Sequence, residues 1–178
     1  MNDAWIAAVF GLVGSVLGAG ATMLGSWLSS HTERKKLAEQ RLREQVAVSL
    51  ALAAELKMMA AQNQAITNAF ARFVEEGHAL DTALLKAELT GTPLFYSRVC
   101  DRPDAVPSEL IGEVVSAYAL FAMANAGLQR WALAVPQISG DHLKNLSKHT
   151  QLSAEKGLEA SKKLVAFAET KQGVSKQR

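Results

Sequence analysis

The pattern of apolar and polar positions divides the chain near residue 31. Residues 4–28 form an uncharged, largely apolar run, and charged residues recur from there to the end. A helix of about 25 residues, rising about 1.5 Å per residue, is about 38 Å long and can cross a hydrocarbon core about 30 Å thick. The run therefore predicts a transmembrane anchor within residues 1–31.

The residues that flank this run predict its orientation. Trp5 and Trp27 lie near its two ends, where tryptophan favours the headgroup level of a bilayer. Cationic residues are retained on the cytoplasmic side of a membrane, and here they follow the run and do not precede it. The basic flank consists of Arg34, Lys35, Lys36, Arg41 and Arg43. The N-terminus is thus predicted outside and the rest of the chain in the cytoplasm.

A cleaved signal peptide is the alternative interpretation of the same run. Residues 19–21 read Ala-Gly-Ala, a small-x-small sequence typical of a cleavage site. Signal peptides begin with a positively charged segment, however, and no Lys or Arg precedes this run. The apolar residues also continue past the site as far as Leu28. These two observations favour the anchor.

Small residues recur along one face of the predicted span, and bulky residues cover the other. Association of helices in lipid depends on close backbone approach, which small residues permit. We expect this glycine face to pack against a second copy or another membrane protein. A repeat of seven favours a left-handed crossing and a spacing of four a right-handed one, so the hand stays open. The glycine face comprises Ala7, Gly11, Gly14, Gly18, Ala21 and Gly25.

Residues 32–170 predict an all-α cytoplasmic bundle of three long helices and one short one. Apolar residues recur at alternating steps of three and four, and no segment shows the alternation of a strand. The remaining residues, 171–178, form a basic tail that we expect to be flexible. The predicted helices run from Thr32 to about Glu76, from about Leu80 to Thr90, from Pro107 to about Val135, and from about residue 141 to Thr170.

Three local features refine this prediction. Gly77 is expected to end the first long helix, and residues 92–107, which contain three of the four prolines, to wrap the core without regular helix. Asn63 interrupts an apolar seam, where it fixes register or oligomer state, or else lies at a wet edge or bonds a neighbouring backbone group. Ser29, Ser30 and Thr32 are candidate caps, so the anchor helix either continues into the bundle or a new helix begins there.

Composition and motifs argue against several classes of function. The formal charge of +2 argues against a basic surface that would bind nucleic acid. Cys100 is the one cysteine of the sequence, so it cannot form an intrachain disulfide. Glu75 and His78 have the spacing of half a di-iron site, but no second copy of that motif occurs. His142 and His149 are interpreted as surface residues. We therefore predict no enzyme activity, no catalytic residues, no cofactor and no metal site.

A resemblance rests on the order of three features. These are a glycine-rich span that ends in Trp27-Leu28-Ser29-Ser30, a charged helix, and a helix start at Pro107-Ser108-Glu109-Leu110 followed by Val114, Val115 and Tyr118. In this order the chain resembles uncharacterised bacterial single-pass inner-membrane proteins with a cytoplasmic helical domain. The resemblance implies a bacterial inner membrane and brings no catalytic residues.

The sequence thus predicts a membrane-anchored interaction or scaffold protein. It is expected to self-associate, or to join a larger membrane complex, through the glycine face, with the lipid bilayer as its other partner and no nucleic acid. The alternative is a membrane-active effector, phage-related or toxin-like, that assembles into a pore or lesion. A water-filled pore needs a polar stripe, and the span offers only Ser15, Thr22 and Ser26.

Overall fold

The structure is a computed structural model, and it describes the backbone of residues 3–82, 93–134 and 137–176. Within these ranges it describes side chains from Trp27 onward, except at residues 28, 98–99, 103 and 174–176. The chain divides into two compact units, Met1–Arg43 and Glu44–Arg178. Each unit is considered by itself below.

The described part of the chain is mostly helical and contains four helices, which confirms the all-α prediction. Two short strands and one 3₁₀ turn complete it. In chain order the elements are α1 (Asp3–Glu75), β1 (Leu80–Asp81), α2 (Leu94–Cys100), the 3₁₀ turn Pro103–Ala105, α3 (Ile111–Ala134), β2 (Gln137–Ile138) and α4 (Gly140–Lys176).

In the first unit, no new helix begins at the candidate caps. The hydroxyl of Thr32 donates to the carbonyl oxygen of Ser29 at 2.8 Å, and helix α1 continues through both residues. A hydroxyl bonded back into the preceding turn is the arrangement of a helix interior, whereas a cap accepts from backbone N–H groups ahead of it. Of the two alternatives that the sequence left open, a continuous helix or a new one that begins at the caps, the structure has the continuous helix at residues 29–32.

Helix α1 ends at a glycine in the left-handed conformation. Gly77 has φ of 68°. Its N–H donates to the carbonyl of Val74 at 3.3 Å, and the N–H of His78 donates to that of Phe73 at 3.0 Å. This pair of bonds is the Schellman motif, which satisfies carbonyls that the helix end would leave without partners. The prediction that Gly77 ends the helix is confirmed.

In the second unit, residues 44–75 of α1 run in the same direction as α3. Glu55 bonds Tyr118 near the start of α3, and Phe70 shares a buried cluster with Leu128 near its end. Parallel neighbouring helices cannot be joined by a tight turn. The connection between them must therefore return along the length of the bundle.

Helix α4 runs antiparallel to α1. The hydroxyl of Ser161 donates to the carbonyl of Ala53 at 2.8 Å, while the hydroxyls of Thr67 and Thr150 lie 2.7 Å apart. The earlier residue of α1 thus meets the later residue of α4. Because α3 and α4 are joined by a short connection, they are antiparallel as well, and the unit is a three-helix bundle.

Two buried clusters form the core of this bundle. Most of their members on α1, α3 and α4 lie three or four residues from another member on the same helix, and this spacing confirms the predicted helical periodicity. A fully buried Leu or Ile contributes about 1.5–3 kcal/mol. The first cluster contains Leu52, Ala53, Leu56, Val106, Val114, Ala117, Tyr118, Ala160 and Leu164. The second contains Ile66, Phe70, Leu80, Leu128, Ala132, Ile138, Leu143 and Leu146.

The polar members of the seam bond one another across α1 and α4. The Nδ2 of Asn63 donates to the hydroxyl of Ser153 at 3.0 Å, and the hydroxyl of Thr67 donates to the carbonyl of Asn63 at 2.8 Å. All three side chains are buried. The bond between Thr67 and Asn63 lies within α1, but a one-turn slip of either helix would separate Asn63 from Ser153, so Asn63 fixes register within the bundle.

Two short strands close the end of the bundle where α1 stops and α4 begins. β1 pairs with β2 in antiparallel fashion, with Leu80 opposite Ile138 and Asp81 opposite Gln137. Leu80 and Ile138 are buried in the second cluster. The prediction of a helix starting at Leu80 is wrong at its first two residues, and the rest of that segment, 83–90, lies outside the described residues.

The connection from Pro93 to α3 lies along the bundle, as predicted, but it is not irregular. It contains α2, which lies between Pro93 and Pro103, and the 3₁₀ turn, which begins at Pro103. These prolines were expected to exclude regular helix. Tyr96 packs against the first cluster and Val106 is buried within it. Near the start of the second unit, Gln45 donates to the carbonyl of Asp104 at 3.1 Å.

Among the residues whose side chains the structure describes, from Trp27 onward, helix α3 is the one helix that is long and apolar enough to cross a membrane. Its sequence is apolar on several faces, at Ile111, Val115, Tyr118 and Met123, which is typical of a well-buried helix. Tyr118 is buried and Ile111 packs against the first cluster, but Val115 is 46% and Met123 65% exposed. Apolar composition therefore exceeds what the described bundle covers, and the expectation of burial is wrong for Val115 and Met123.

Close packing of α3 and α4 depends on a glycine. A Cβ added at Gly157 would lie 3.0 Å from Cε2 of Phe121 and 3.5 Å from the carbonyl oxygen of Leu56. Trp131, another bulky residue of α3, lies against His142, with ring centroids 4.2 Å apart.

We predict that Gly157→Leu destabilises the second unit by about 1–3 kcal/mol, because extra atoms in a filled core force neighbouring side chains and backbone to move. Leucine is a better helix former than glycine, so local propensity cannot cause the loss. Urea unfolding of the full chain in mild detergent, followed by circular dichroism, measures it.

The matched control is Gly173→Leu in the same helix. A Cβ at Gly173 meets nothing within 4 Å. We expect this variant to be at least as stable as the wild type. Equal stability of both variants would show that the contact between Phe121 and Gly157 is not a tight one.

Candidate functional site

A buried carboxylate lies where α1, α2 and α3 meet. Glu55 is 7% exposed. Its Oε1 accepts the N–H groups of Leu94 at 2.7 Å and Phe95 at 3.0 Å, and its Oε2 accepts the N–H of Tyr96 at 3.3 Å. These donors belong to the first turn of α2, whose N–H groups have no partner within the helix. Glu55 thus caps α2 from a different helix.

Two tyrosines complete this cluster. The hydroxyl of Tyr118 donates to Oε2 of Glu55 at 2.5 Å. The rings of Tyr96 and Tyr118 stack with centroids 4.1 Å apart. Burial, followed by the bond to Glu55, raises the pKa of Tyr118 well above its ordinary value. Burial and a contact with the thiol of Cys100 also raise the pKa of Tyr96.

Both oxygens of Glu55 are occupied, and this occupation determines what the cluster can do. Charge-assisted bonds to N–H and O–H donors stabilise a carboxylate in a site that water does not reach. A general base needs a free lone pair directed at a substrate, and each oxygen of Glu55 already accepts two hydrogen bonds, one of them from the Tyr118 hydroxyl. The cluster therefore positions the connection on the bundle.

Sequence analysis did not identify Glu55 as a special residue. One signal was present, because Glu55 lies between Leu52 and Leu56 on the side of α1 that faces the core. Acidic residues are rarely fully buried unless they have partners. A charge within an apolar seam could have marked the position, but its partners lie far along the chain and follow no local pattern.

The predicted membrane residues are described only in part. The side chains of the glycine face and of Trp5 lie outside the described residues. Trp27 is 67% exposed, and its ring stacks on His31 with centroids 5.8 Å apart. The residues of the basic flank, Arg34, Lys35, Lys36, Arg41 and Arg43, are all exposed.

The residues weighed for metal or redox chemistry are not brought together. His78 bonds Glu76 at 3.3 Å on the surface, His142 bonds Ser139 at 2.8 Å, and Cys100 is exposed. Among the described residues, no three His, Cys, Asp or Glu side chains are grouped as ligands for a metal ion.

A groove of about 330 Å³ lies between α3 and α4. Its charged residues form a network in which Lys163 bonds Glu113 at 2.7 Å and Glu159 at 3.1 Å, and Lys156 bonds Glu159 at 2.7 Å. The bonds to lysine lower the pKa of Glu159, and those to glutamate raise the pKa of Lys163. Each of the four charged side chains that line the groove thus has a partner of opposite sign.

Comparison with known proteins identifies no relative. No family model, no curated protein and no solved structure matches this chain. Arguments about function therefore rest on the residues and their geometry.

We predict that Glu55→Gln frees the start of α2. An amide replaces one acceptor oxygen with an NH₂ group, which then faces N–H or O–H donors. Bonds to a charged group are worth about 1.5–3 kcal/mol, so hydrogen exchange of the Leu94, Phe95 and Tyr96 amides should accelerate by about tenfold or more. Exchange measured by mass spectrometry on peptides covering residues 93–100 tests this.

Glu113→Gln is the matched control, because Glu113 lies on the surface and bonds only Lys163 in the described part of the chain. Exposed pairs contribute little to stability. This variant should leave the exchange of residues 94–96 unchanged. An unchanged rate in Glu55→Gln as well would contradict the role of Glu55 as a cap.

The raised pKa of Tyr118 predicts a loss of stability in alkali. The folded state holds the phenolic proton more tightly than the unfolded chain, where the pKa is 10.0. The resulting stabilisation is complete below that pH and is lost as the pH rises above it. Tyr118→Phe should be less stable than wild type at about pH 8 but lose less stability between about pH 10 and about pH 11.5. Urea unfolding at these pH values tests this, and equal losses in both proteins would contradict it.

Proposed function

We propose that this chain is a single-pass protein of a bacterial inner membrane, with its N-terminus outside and a helical interaction or scaffold domain in the cytoplasm. One observation carries the proposal. The uncharged run of residues 4–28 is long enough to cross a bilayer, and the backbone is helical from Asp3 onward. A helix satisfies its own backbone groups, which is required where no water is available.

The residues after the run support the proposed orientation. Trp27 is 67% exposed near the end of the run, where tryptophan favours the headgroup level of a bilayer. The five residues of the basic flank form no ion pair with the described residues. They are therefore free to bind anionic lipid headgroups, and each Lys or Arg contributes about 1 kcal/mol to such binding near a membrane surface.

The glycine face supports self-association or entry into a larger membrane complex. Apolar helices gain no hydrophobic drive from one another in lipid, and they pack through close backbone contacts that Gly and Ala allow. Gly11, Gly14, Gly18 and Gly25 lie on this face. A charge placed among them would prevent close approach.

We predict that Gly18→Arg abolishes assembly in the membrane and leaves the bundle folded. Native mass spectrometry of the full chain, extracted from its membrane in mild detergent, measures this. The wild type should give a multiple of the 19.1 kDa chain, or that chain with an added foreign mass, and the variant a single chain. Circular dichroism reports whether the bundle is intact.

Val16→Arg is the control, because Val16 lies on the bulky face and carries the same cost of placing a charge in lipid. It should retain assembly. Equal loss in both variants would contradict a role for the glycine face, and recovery of the wild type in the soluble fraction would contradict the anchor. Leakage of dye from cells that express the chain would favour the alternative of a membrane-active effector.

A further inference from the structure

One side of α1 is exposed along the second unit. At about 100° per residue, it spans an arc about 80° wide and lies opposite Leu56, which is buried in the first cluster. It is not purely small, since Met58 is 67% and Leu50 39% exposed. We call this the α1 outer face, and it consists of six exposed residues, Ala47, Leu50, Ala54, Met58, Ala61 and Ala65.

The α1 outer face is poor in charge. Among the eleven exposed residues from Ala47 to Ala71, Lys57 is the one that is charged, and it lies at the edge of the face. On α4, by contrast, five of the eight exposed residues from Gln151 to Lys163 are charged. The outward face of a helix in water is normally charged and polar, and exposed apolar residues that group together mark a contact with another molecule.

The spacing along this face is that of a two-stranded coiled coil. Ala47, Ala54 and Ala61 recur every seven residues, and Met58 and Ala65 each lie four residues after one of them. Heptad spacing lets two helices pack along their whole length. We propose that the α1 outer face packs against the same face of a second copy, with the two helices parallel and in register.

The direction of the pairing follows from the proposed anchor, and in this respect the inference rests on the proposed function. Helix α1 is a single helix from Asp3 to Glu75, and the proposed span lies in its first part. Copies that enter one membrane through this helix have it in the same direction, so they pair in parallel. The inference deepens the proposed function because it names a second copy of this chain as a partner.

Two charges at the end of the face fit the parallel arrangement. Arg72 lies seven residues after Ala65 and Glu75 fourteen after Ala61, so both continue the heptad. Both are exposed, and neither forms an ion pair with a described residue. In a parallel coiled coil, each Arg72 inserts beside the Glu75 of the other copy. An antiparallel pair would place these two charges at opposite ends of the face.

The sizes of the side chains agree with this packing. Ala54 and Ala61 lie one turn before and one turn after Met58, so the two Met58 side chains of a pair have space between small neighbours. Such small residues also let the two backbones approach closely. A twofold contact requires this kind of self-complementarity of one surface.

The expected area makes the contact weak in free solution. From Ala47 to Glu75 the face is about 42 Å long, and at a width of about 10 Å it covers roughly 420 Å² on each copy. A stable complex buries roughly 800 Å² per partner. Copies that share one membrane meet at a higher effective concentration, which compensates for the small area.

Cross-linking through a cysteine on the face tests the contact. The full chain is expressed with Cys100→Ser, which removes its single cysteine, and with Ala54→Cys. Mild oxidation in the native membranes should give a species of twice the 19.1 kDa mass. The matched control is Ala71→Cys, an exposed alanine of the same helix about 100° around from the middle of the face, which should stay monomeric. Equal cross-linking at both positions would overturn the proposal.

Two more single-cysteine chains test the direction of the helices. Ala47→Cys and Ala61→Cys should each cross-link with themselves, because a parallel pair in register places every residue of the face beside its own copy. A disulfide forms only where the Cα atoms lie within about 7 Å. Cross-linking at Ala54 alone would overturn the parallel arrangement, since an antiparallel pair centred there places Ala47 opposite Ala61.

Charge reversal tests the register. In the Ala54→Cys chain, Arg72→Glu and Glu75→Arg should each lower the dimer yield by about threefold or more, because each places like charges together twice in the dimer. The two substitutions together should restore the yield. A double variant no better than either single one would overturn the pairing of Arg72 with Glu75.

The location of the chain separates this inference from the proposed function. A chain in the membrane fraction that assembles through the glycine face but does not cross-link at Ala47, Ala54 or Ala61 would overturn the α1 contact and leave the proposed function intact. A chain recovered in the soluble fraction that cross-links at Ala54 and not at Ala71 would support the α1 contact and contradict the anchor.

Discussion

The buried carboxylate of Glu55 is the constraint on which the arrangement of the second unit depends. Because residues 44–75 of α1 are parallel to α3, the chain must return along the bundle before α3 begins. Glu55 fixes the described part of this connection through three backbone N–H groups of α2, and it also bonds the Tyr118 hydroxyl of α3. Without these bonds, the Tyr96 stack, the buried residues near Val106 and the bonds of Asp104 to Gln45 and Arg102 to Glu44 would remain.

The elements that sequence periodicity predicted are those whose cause is local. Alternating steps of three and four placed the seams of three long helices, and Gly77 ended the first because its left-handed conformation is available to glycine at little cost. The strands were missed because each has two residues, too few for alternation to be visible. Helix α2 was missed because Pro93 and Pro103 suggested a break, although a short helix fits between them.

The site was missed for a different reason. The groups that bond Glu55 lie 39 to 63 residues away along the chain, and such tertiary capping leaves no spacing in the sequence. The apolar composition of α3 was likewise interpreted as a sign of burial, although composition indicates only that a surface avoids water and does not indicate what covers it. Whether α1, another copy or lipid covers a given face depends on the packing of the whole bundle. Val115 and Met123 show this limit.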